Sequence, residues 1–292
     1  MNLIILSRNP NLYSTHSLAQ AAIKRNHNLR IINPLECEVI IEKNESTIQY
    51  QGKKIGSVDA VIPRIGASVT SFGNIIIKQF EAMNVYTCLS SDALSNSRNK
   101  VLCLQKLAAA GLGVPKTVYF HQSQDPQDAI KKIGVFPLII KLVEGTQGLG
   151  VVIAESQNST ESILDAFSAM RKSVIIQEFI EEASRSDIRV FVVDGKISGA
   201  IRRQGREGEF RSNLHRGGSA RVAILSEEEK QAAIKATEIL GLNIAGVDML
   251  RSKKGPLILE VNSSPGLEGI EFVTKKDIAK DIIKFVEKRV GK

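Results

Sequence analysis

Short runs rich in Val and Ile alternate with segments of helical period over the first hundred residues. The pattern predicts strands at 3–6, 29–32, 59–63 and 85–88, with helices at 18–25 and 72–83 between them. Strand, helix and strand in succession is the order of a parallel sheet covered by helices. Residues 38–42 and 47–50 alternate apolar and polar side chains instead, which predicts an added hairpin. The polar stretch 90–97 reads as a separator, and a unit boundary is expected there.

From residue 98 a helix is expected to run to Gly111-Leu112-Gly113, where glycines followed by Pro115 mark a stop. Strands at 116–120, 137–141, 151–154 and 174–178 follow, with one helix starting at Pro126 and another over 161–170. The last third predicts strands 188–193 and 196–202 joined by an Asp194-Gly195 turn, helix 227–240, strands 245–250 and 257–262, and helix 277–290. That final helix gathers Ile278, Ile282, Phe285 and Val286 on one face. Asp277, Asp281 and Glu287 dilute its lysines, which favours packing on a core over lying on a membrane. The expected fold is α/β, turning to α+β in the C-terminal part, with units at 1–97, 98–177 and 178–292.

Composition narrows the class without naming it. With 292 residues, 43% hydrophobic and 24% charged, the chain has enough apolar surface for real cores and is neither disordered nor fibrous. No apolar run approaches the roughly 18 residues of a membrane-spanning helix. The run at 3–6 falls short of the about 7–15 apolar residues of a signal peptide. Cys37, Cys88 and Cys103 are odd in number and far apart, which suggests neither a disulfide framework nor a zinc site, so a cytoplasmic protein is expected. The net charge of +8 favours anionic partners. There is no block of five basic residues and no Trp, so neither a basic tail nor a base-stacking platform supports nucleic-acid binding.

Three segments carry candidate chemistry. The loop from Lys141 to Gly150 places Gly145, Gly148 and Gly150 within six residues between two predicted strands. It matches neither a Walker loop nor a dinucleotide fingerprint, and reads either as a hairpin flap over phosphate or as a merely flexible turn. In the second, strands 245–250 and 257–261 flank Lys253-Lys254-Gly255, taken as a three-residue loop with Ser252 facing Pro256. Counting outward sets Asp248 opposite Glu260, places Asn262 on the same face, and leaves Ala245, Val247, Met249, Leu257, Leu259 and Val261 for the core. Facing carboxylates repel. Either they lie on a solvated face or a hard divalent cation offsets them; Mg²⁺ suits oxygen ligands that leave room for phosphate. In the third, 202–218, five arginines and four glycines suit neutralisation of carboxylate or phosphoryl oxygens. Only one of the neighbours Arg202 and Arg203 can face the metal-ligand side. His215 there has a structural role at least as readily as a proton-transfer one.

At these residues the chain resembles the ATP-grasp superfamily, and within it the RimK-type α-L-glutamate ligases. The resemblance spans nearly the whole chain and rests on Leu6-Ser7-Arg8, Ala60 to Gly66, Lys141 to Gly150, Gln177 to Ile180, Phe210 to Gly218, Gly246-Val247-Asp248 and Glu260 to Ile270. It implies that Lys141 touches the ATP phosphates, that Glu178 and Phe179 hold adenine through their backbone, and that Asp187 holds the ribose or a neighbouring nucleotide group. Arg211, Ser212 and Asn213 would close over the triphosphate, and Lys100 would be a second phosphate lysine. Asp248, Glu260 and Asn262 would bind two Mg²⁺ or Mn²⁺, while Arg203, with Arg211, would stabilise the acyl phosphate. The implied activity joins L-glutamate to the acidic C-terminus of a ribosomal small-subunit protein, protein six, in a homo-oligomeric enzyme with no membrane or direct nucleic-acid partner. The absence of a nucleophile triad is what such a mechanism expects. The alternatives are a related ligase acting on a small molecule or free glutamate, and a non-catalytic nucleotide-binding switch.

Overall fold

In the computed structural model, residues 1–43, 45–121, 124–143, 145, 150–212 and 217–291 are described. The first unit runs β1 (Asn2–Leu6), α1 (Tyr13–Lys24), β2 (Asn28–Ile32), β3 (Cys37–Glu42), β4 (Glu45–Tyr50), β5 (Lys53–Lys54), β6 (Ala60–Pro63), α2 (Thr70–Ala82), β7 (Tyr86–Thr87) and α3 (Ser91–Arg98). Strands β2-β1-β6-β7 form a parallel sheet, as the alternation of strand and helix predicts, and β3-β4-β5 form a small antiparallel addition.

The polar stretch 90–97 is helical. The Ser90 hydroxyl caps α3 by accepting from Ala93 N at 3.1 Å, and Ala93 and Leu94 are buried. Its polarity has another cause: Ser95, Ser97 and Arg98 line a cleft. The next helix, α4 (Lys100–Ala109), starts just beyond it, with Asn99 Oδ1 accepting from Val101 N and Leu102 N.

The middle unit holds β8 (Thr117–Tyr119), α5 (Pro126–Ile133), β9 (Leu138–Leu142), β10 (Val151–Ala154), α6 (Gln157–Ala169) and β11 (Val174–Glu178). Its antiparallel sheet has the order β10-β9-β11-β8, covered on one side by α5 and α6 through Ile130, Ile133 and Leu164. The C-terminal part holds β12 (Ser186–Val193), β13 (Lys196–Gln204), β14 (Ser219–Val222), α7 (Glu227–Leu240), β15 (Ile244–Ser252), β16 (Gly255–Asn262), α8 (Glu268–Thr274) and α9 (Ile278–Val290). Its antiparallel sheet runs β14-β13-β12-β15-β16. Strand β14 and helix α8 lie where the sequence pattern predicted nothing.

The first and last units share their cores. On one face of β1, Ile4 and Leu6 join Val190, Val247 and Met249; on the other, Leu3 and Ile5 join Ile282 and Phe285 of α9. The apolar stripe of α9 is therefore a core stripe, each fully buried large aliphatic contributing about 1.5–3 kcal/mol. Glu287 of α9 ties back to the first unit, accepting from Arg25 Nε at 2.7 Å and pairing with His27 Nε2 at 2.7 Å. No helix among the described residues is long and apolar enough to cross a membrane.

Candidate active site

The β15–β16 hairpin places the carboxylates, though not by the predicted count. Ser252 pairs with Gly255 across a two-residue Lys253-Lys254 turn, and Met249 pairs with Ile258. A bulge at Leu259 then restores the register, so Asp248 does stand opposite Glu260 and Gly246 opposite Asn262. The loop is one residue shorter than expected and the bulge adds one back. The faces change accordingly. Ile258 enters the core with Met249, Leu257 turns to Ile180 and Ala183, and Leu259 lines the site.

Antiparallel pairing brings two arginines onto this face. Arg189 stands opposite Asp248 on β12; its Nε donates to Asp248 Oδ1 at 2.7 Å and its Nη2 to Oδ2 at 2.5 Å. Arg203 on β13 stands opposite Asp187, grips both its oxygens, and reaches Asp248 Oδ2 at 2.9 Å. Its neighbour Arg202 turns away to Ser186 Oγ. Two aspartates and two arginines thus neutralise one another. Burial alone would raise Asp248, but Arg189 and Arg203 outweigh it and hold the carboxyl down at about 2. Burial would likewise lower Arg203, and Asp248 and Asp187 outweigh it to hold the guanidinium above its ordinary value.

Glu260 is left outside this quartet. Its carboxylate reaches Arg189 only at 4.0 Å, with 42% of the side chain accessible. Burial in the cleft and the facing Asp248 charge push its carboxyl up, against the pull of Lys100, Arg189 and Lys141. Asn262 Oδ1 accepts from Ser264 N at 2.9 Å, which fixes the amide on the same edge. Among the described residues no group of three His, Cys, Asp or Glu side chains forms a metal cage. A carboxylate disfavoured by its like-charged neighbour, with an amide oxygen beside it, nevertheless fits a hard cation that takes its remaining ligands from phosphate.

Two cavities meet here. The smaller, about 150 Å³, lies between the middle and C-terminal sheets and is lined by Lys141, Phe179, Asp187, Arg211 and Ser212. The larger, about 1400 Å³, lies between the first unit and the C-terminal sheet. Lys100, Arg203 and Glu260 line both.

Most of the expected nucleotide residues face the smaller cavity, though several are engaged. Lys141 Nζ donates to Gln177 Oε1 at 2.5 Å, and burial drives its ammonium down to about 8. Strand register places Lys141 opposite Val151, so the segment between them does connect two antiparallel strands. Lys100 Nζ donates to the carbonyl of Gly145 in that connection at 2.9 Å. The Glu178 carboxylate accepts from Lys116 N at 2.7 Å, and both Asp187 oxygens accept from Arg203. Arg211 donates from Nε to Glu209 Oε1 at 2.8 Å. Residues 144, 146–149 and 213–216, including Gly148, Asn213 and His215, lie outside the described residues.

Sequence reasoning missed Arg189, although alternation along β12 places it beside Asp248. It also missed Arg98, which was read only as the first residue of a helix. Arg64, just past β6, donates from Nη2 to the Pro265 carbonyl at 2.6 Å and to that of Ser264 at 3.4 Å. Burial and the nearby Arg98 hold its guanidinium down to about 10.

Comparison with known proteins extends the geometry. A RimK pre-ATP-grasp domain model matches residues 1–94 and a RimK-like ATP-grasp domain model matches residues 97–286. A probable alpha-L-glutamate ligase of Syntrophotalea carbinolica is 51% identical over 288 residues, 99% of this chain and 96% of its own. A protein of the same description from Vibrio parahaemolyticus shows the same identity and coverage. Among solved structures, the ATP-grasp ligase PsnB complexed with minimal precursor superposes with a TM-score of 0.77 at 21% identity, covering 100% of this chain and 98% of that one.

Proposed function

The chain belongs to the RimK-like ATP-grasp family and is an ATP-dependent ligase, and from that premise we propose that it joins L-glutamate to the C-terminal carboxylate of an acidic protein, of the ribosomal small-subunit protein six type, through an acyl phosphate. The observation that carries this reading is the junction of the two cavities at Glu260, Arg203 and Lys100. A nucleotide in the smaller cavity would direct its terminal phosphate at a carboxylate in the larger one.

In the smaller cavity Lys141 and Arg211 supply positive charge for the phosphates, Phe179 supplies an apolar surface for a base, and Ser212, with Asn213 beyond it, would close over the chain of phosphates. Asp248, Glu260 and Asn262 would hold Mg²⁺ or Mn²⁺, two ions in this reading. Such ions, when bound, neutralise the phosphate oxygens. An acceptor carboxylate oxygen attacks the terminal phosphorus and ADP leaves. The glutamate amine then attacks the acyl carbon, its proton is lost, and phosphate leaves as the amide forms. The chain contributes position and charge, with no side-chain nucleophile. Arg203 and Arg189, preorganised by the aspartates, place positive charge where the acyl phosphate and the tetrahedral oxyanion develop.

Incubation with ATP, Mg²⁺, glutamate and candidate acceptors, read by mass spectrometry, tests the reading. Mass steps of one glutamyl residue with matching ADP release are expected. ADP release without such a step on any protein C-terminus would direct the reading to a small-molecule acceptor.

A further inference from the structure

The arginines around this site fall into two kinds. Arg189 and Arg203 are paired with aspartates, and elsewhere Arg25, Arg251 and Arg289 each meet a carboxylate. Among the described residues Arg64 and Arg98 form no such pair, although Glu260 stands near enough to Arg98 to favour its charge. Arg64 spends Nη2 on the carbonyls of Ser264 and Pro265, and Arg98 spends Nη2 on the carbonyl of Ile65. Arg98 Nε is shielded from solvent and, among the described residues, has no hydrogen-bond partner. The two stand close enough for Arg98 to disfavour the charge on Arg64, and both line the larger cavity. A guanidinium has five N–H donors in a planar fork, and a buried unmet donor is costly. Two adjacent desolvated guanidiniums call for an anion as two facing carboxylates call for a cation, and the planar fork matches a carboxylate.

We propose that Arg64 and Arg98 form the subsite for the side-chain carboxylate of the incoming amino acid, and that this subsite selects glutamate over glutamine. The inference deepens the proposed ligation and rests on it for the identity of the amino acid. The α-carboxylate, one carbon from the attacking amine, has to stay near the reacting centre, where Arg189 and Arg203 already stand. The side-chain carboxylate reaches further from it. Arg98 is held at the C-terminal end of α3, and Arg64 by the Ser264-Pro265 backbone that follows Asn262, so the subsite is fixed relative to the metal-ligand edge. The exposed lining side chains Leu12, Leu35 and Phe72 lie on the solvent side of the same cavity, which suits entry of a peptide acceptor. An amino-acid site at the arginines and a peptide path along the apolar rim divide the cavity between the two substrates.

The test is equilibrium binding of L-glutamate and L-glutamine to the full chain saturated with Mg-AMPPNP. The wild type should prefer glutamate at least about 10-fold. Arg98→Gln should lose about 10- to 100-fold in glutamate affinity, the usual weight of a charged hydrogen bond, and should lose the preference over glutamine with Mg-AMPPNP affinity unchanged. Arg98→Lys, which keeps the charge but not the fork, should fall between. Glutarate should compete with glutamate on the wild-type protein while 2-aminobutyrate does not, a measurement that needs no variant to fold. Equal wild-type affinity for glutamate and glutamine, no binding at about 10 mM, above the usual range of KM, or unchanged selectivity in Arg98→Gln would overturn the proposal. So would a rise in KM confined to the acceptor protein. If the wild type binds glutamate with this selectivity yet transfers it to no acceptor, the proposed ligation fails and the subsite stands.

Discussion

Asp248 and Glu260 face each other across one hairpin, and the structure treats them oppositely: Asp248 is clamped by Arg189 and Arg203, while Glu260, among the described residues, has only a distant ion pair with Arg189. One is the counter-ion of a buried cluster as well as a proposed cation ligand. The other is a carboxylate held in reserve for a ligand.

Removing each should therefore have different consequences. Asp248→Asn leaves two buried guanidiniums short of charge and should cost about 3 kcal/mol or more of stability as well as activity. Glu260→Gln relieves a like-charge pair, so thermal unfolding without nucleotide should stay level or rise by up to about 1 kcal/mol. ADP release should nevertheless fall at least about 100-fold. Equal melting behaviour of the two variants would refute the division of roles. Asp248's arginine partners lie on other strands, so its structural role is not visible in the local sequence.

Lys141 should couple nucleotide binding to proton uptake. Burial lowers its ammonium to about 8, and bound phosphate oxygens raise it again. Below that value the lysine is already charged; above it, binding has to recruit a proton, so ATP affinity should weaken as pH rises through about 8. Calorimetry near pH 8.5 in buffers of different ionisation enthalpy should show uptake in the wild type and none attributable to this site in Lys141→Met.

The Glu287 link between the first unit and α9 should be sensitive to acid. The hydrogen bond from Arg25 outweighs the opposing effect of burial and, with that from His27, holds its carboxyl below the ordinary 4.5. A depressed carboxyl stabilises the fold above the unfolded value, and that contribution is lost as pH falls through the folded one. Glu287→Gln should therefore melt earlier than wild type at pH 7, and the two curves should converge in strong acid. A difference that widens on acidification would contradict the assignment.

Gly205 should resist any side chain. A Cβ there would stand 2.6 Å from the Glu209 carbonyl and 2.7 Å from that of Arg211. Because both neighbours are backbone, Gly205→Ala has to displace the turn that carries Arg211. Steady-state kinetics should show a raised KM for ATP with little change in the melting of the remaining fold.

Periodicity was enough to place most strands and helices, because alternation and the 3.6-residue period depend on neighbours along the chain. It also put Asp248 opposite Glu260, although by two compensating errors: the turn is a residue shorter than the glycine at 255 suggested, and the bulge at Leu259 adds one back. A bulge leaves little trace in an apolar run such as Leu257-Ile258-Leu259, since any of the three could face the core. Polarity was misleading at 90–97, where serines that read as a loop lie on a helix because a cleft takes one of its faces. What the chain could not disclose is the pairing of charges. Asp248 depends on arginines 59 and 45 residues away, and Arg64 meets the backbone of Ser264-Pro265 only after the first and last units have packed together. Local patterns set which residue types carry the chemistry, and folding sets which of their charges cancel and which stay open to a ligand.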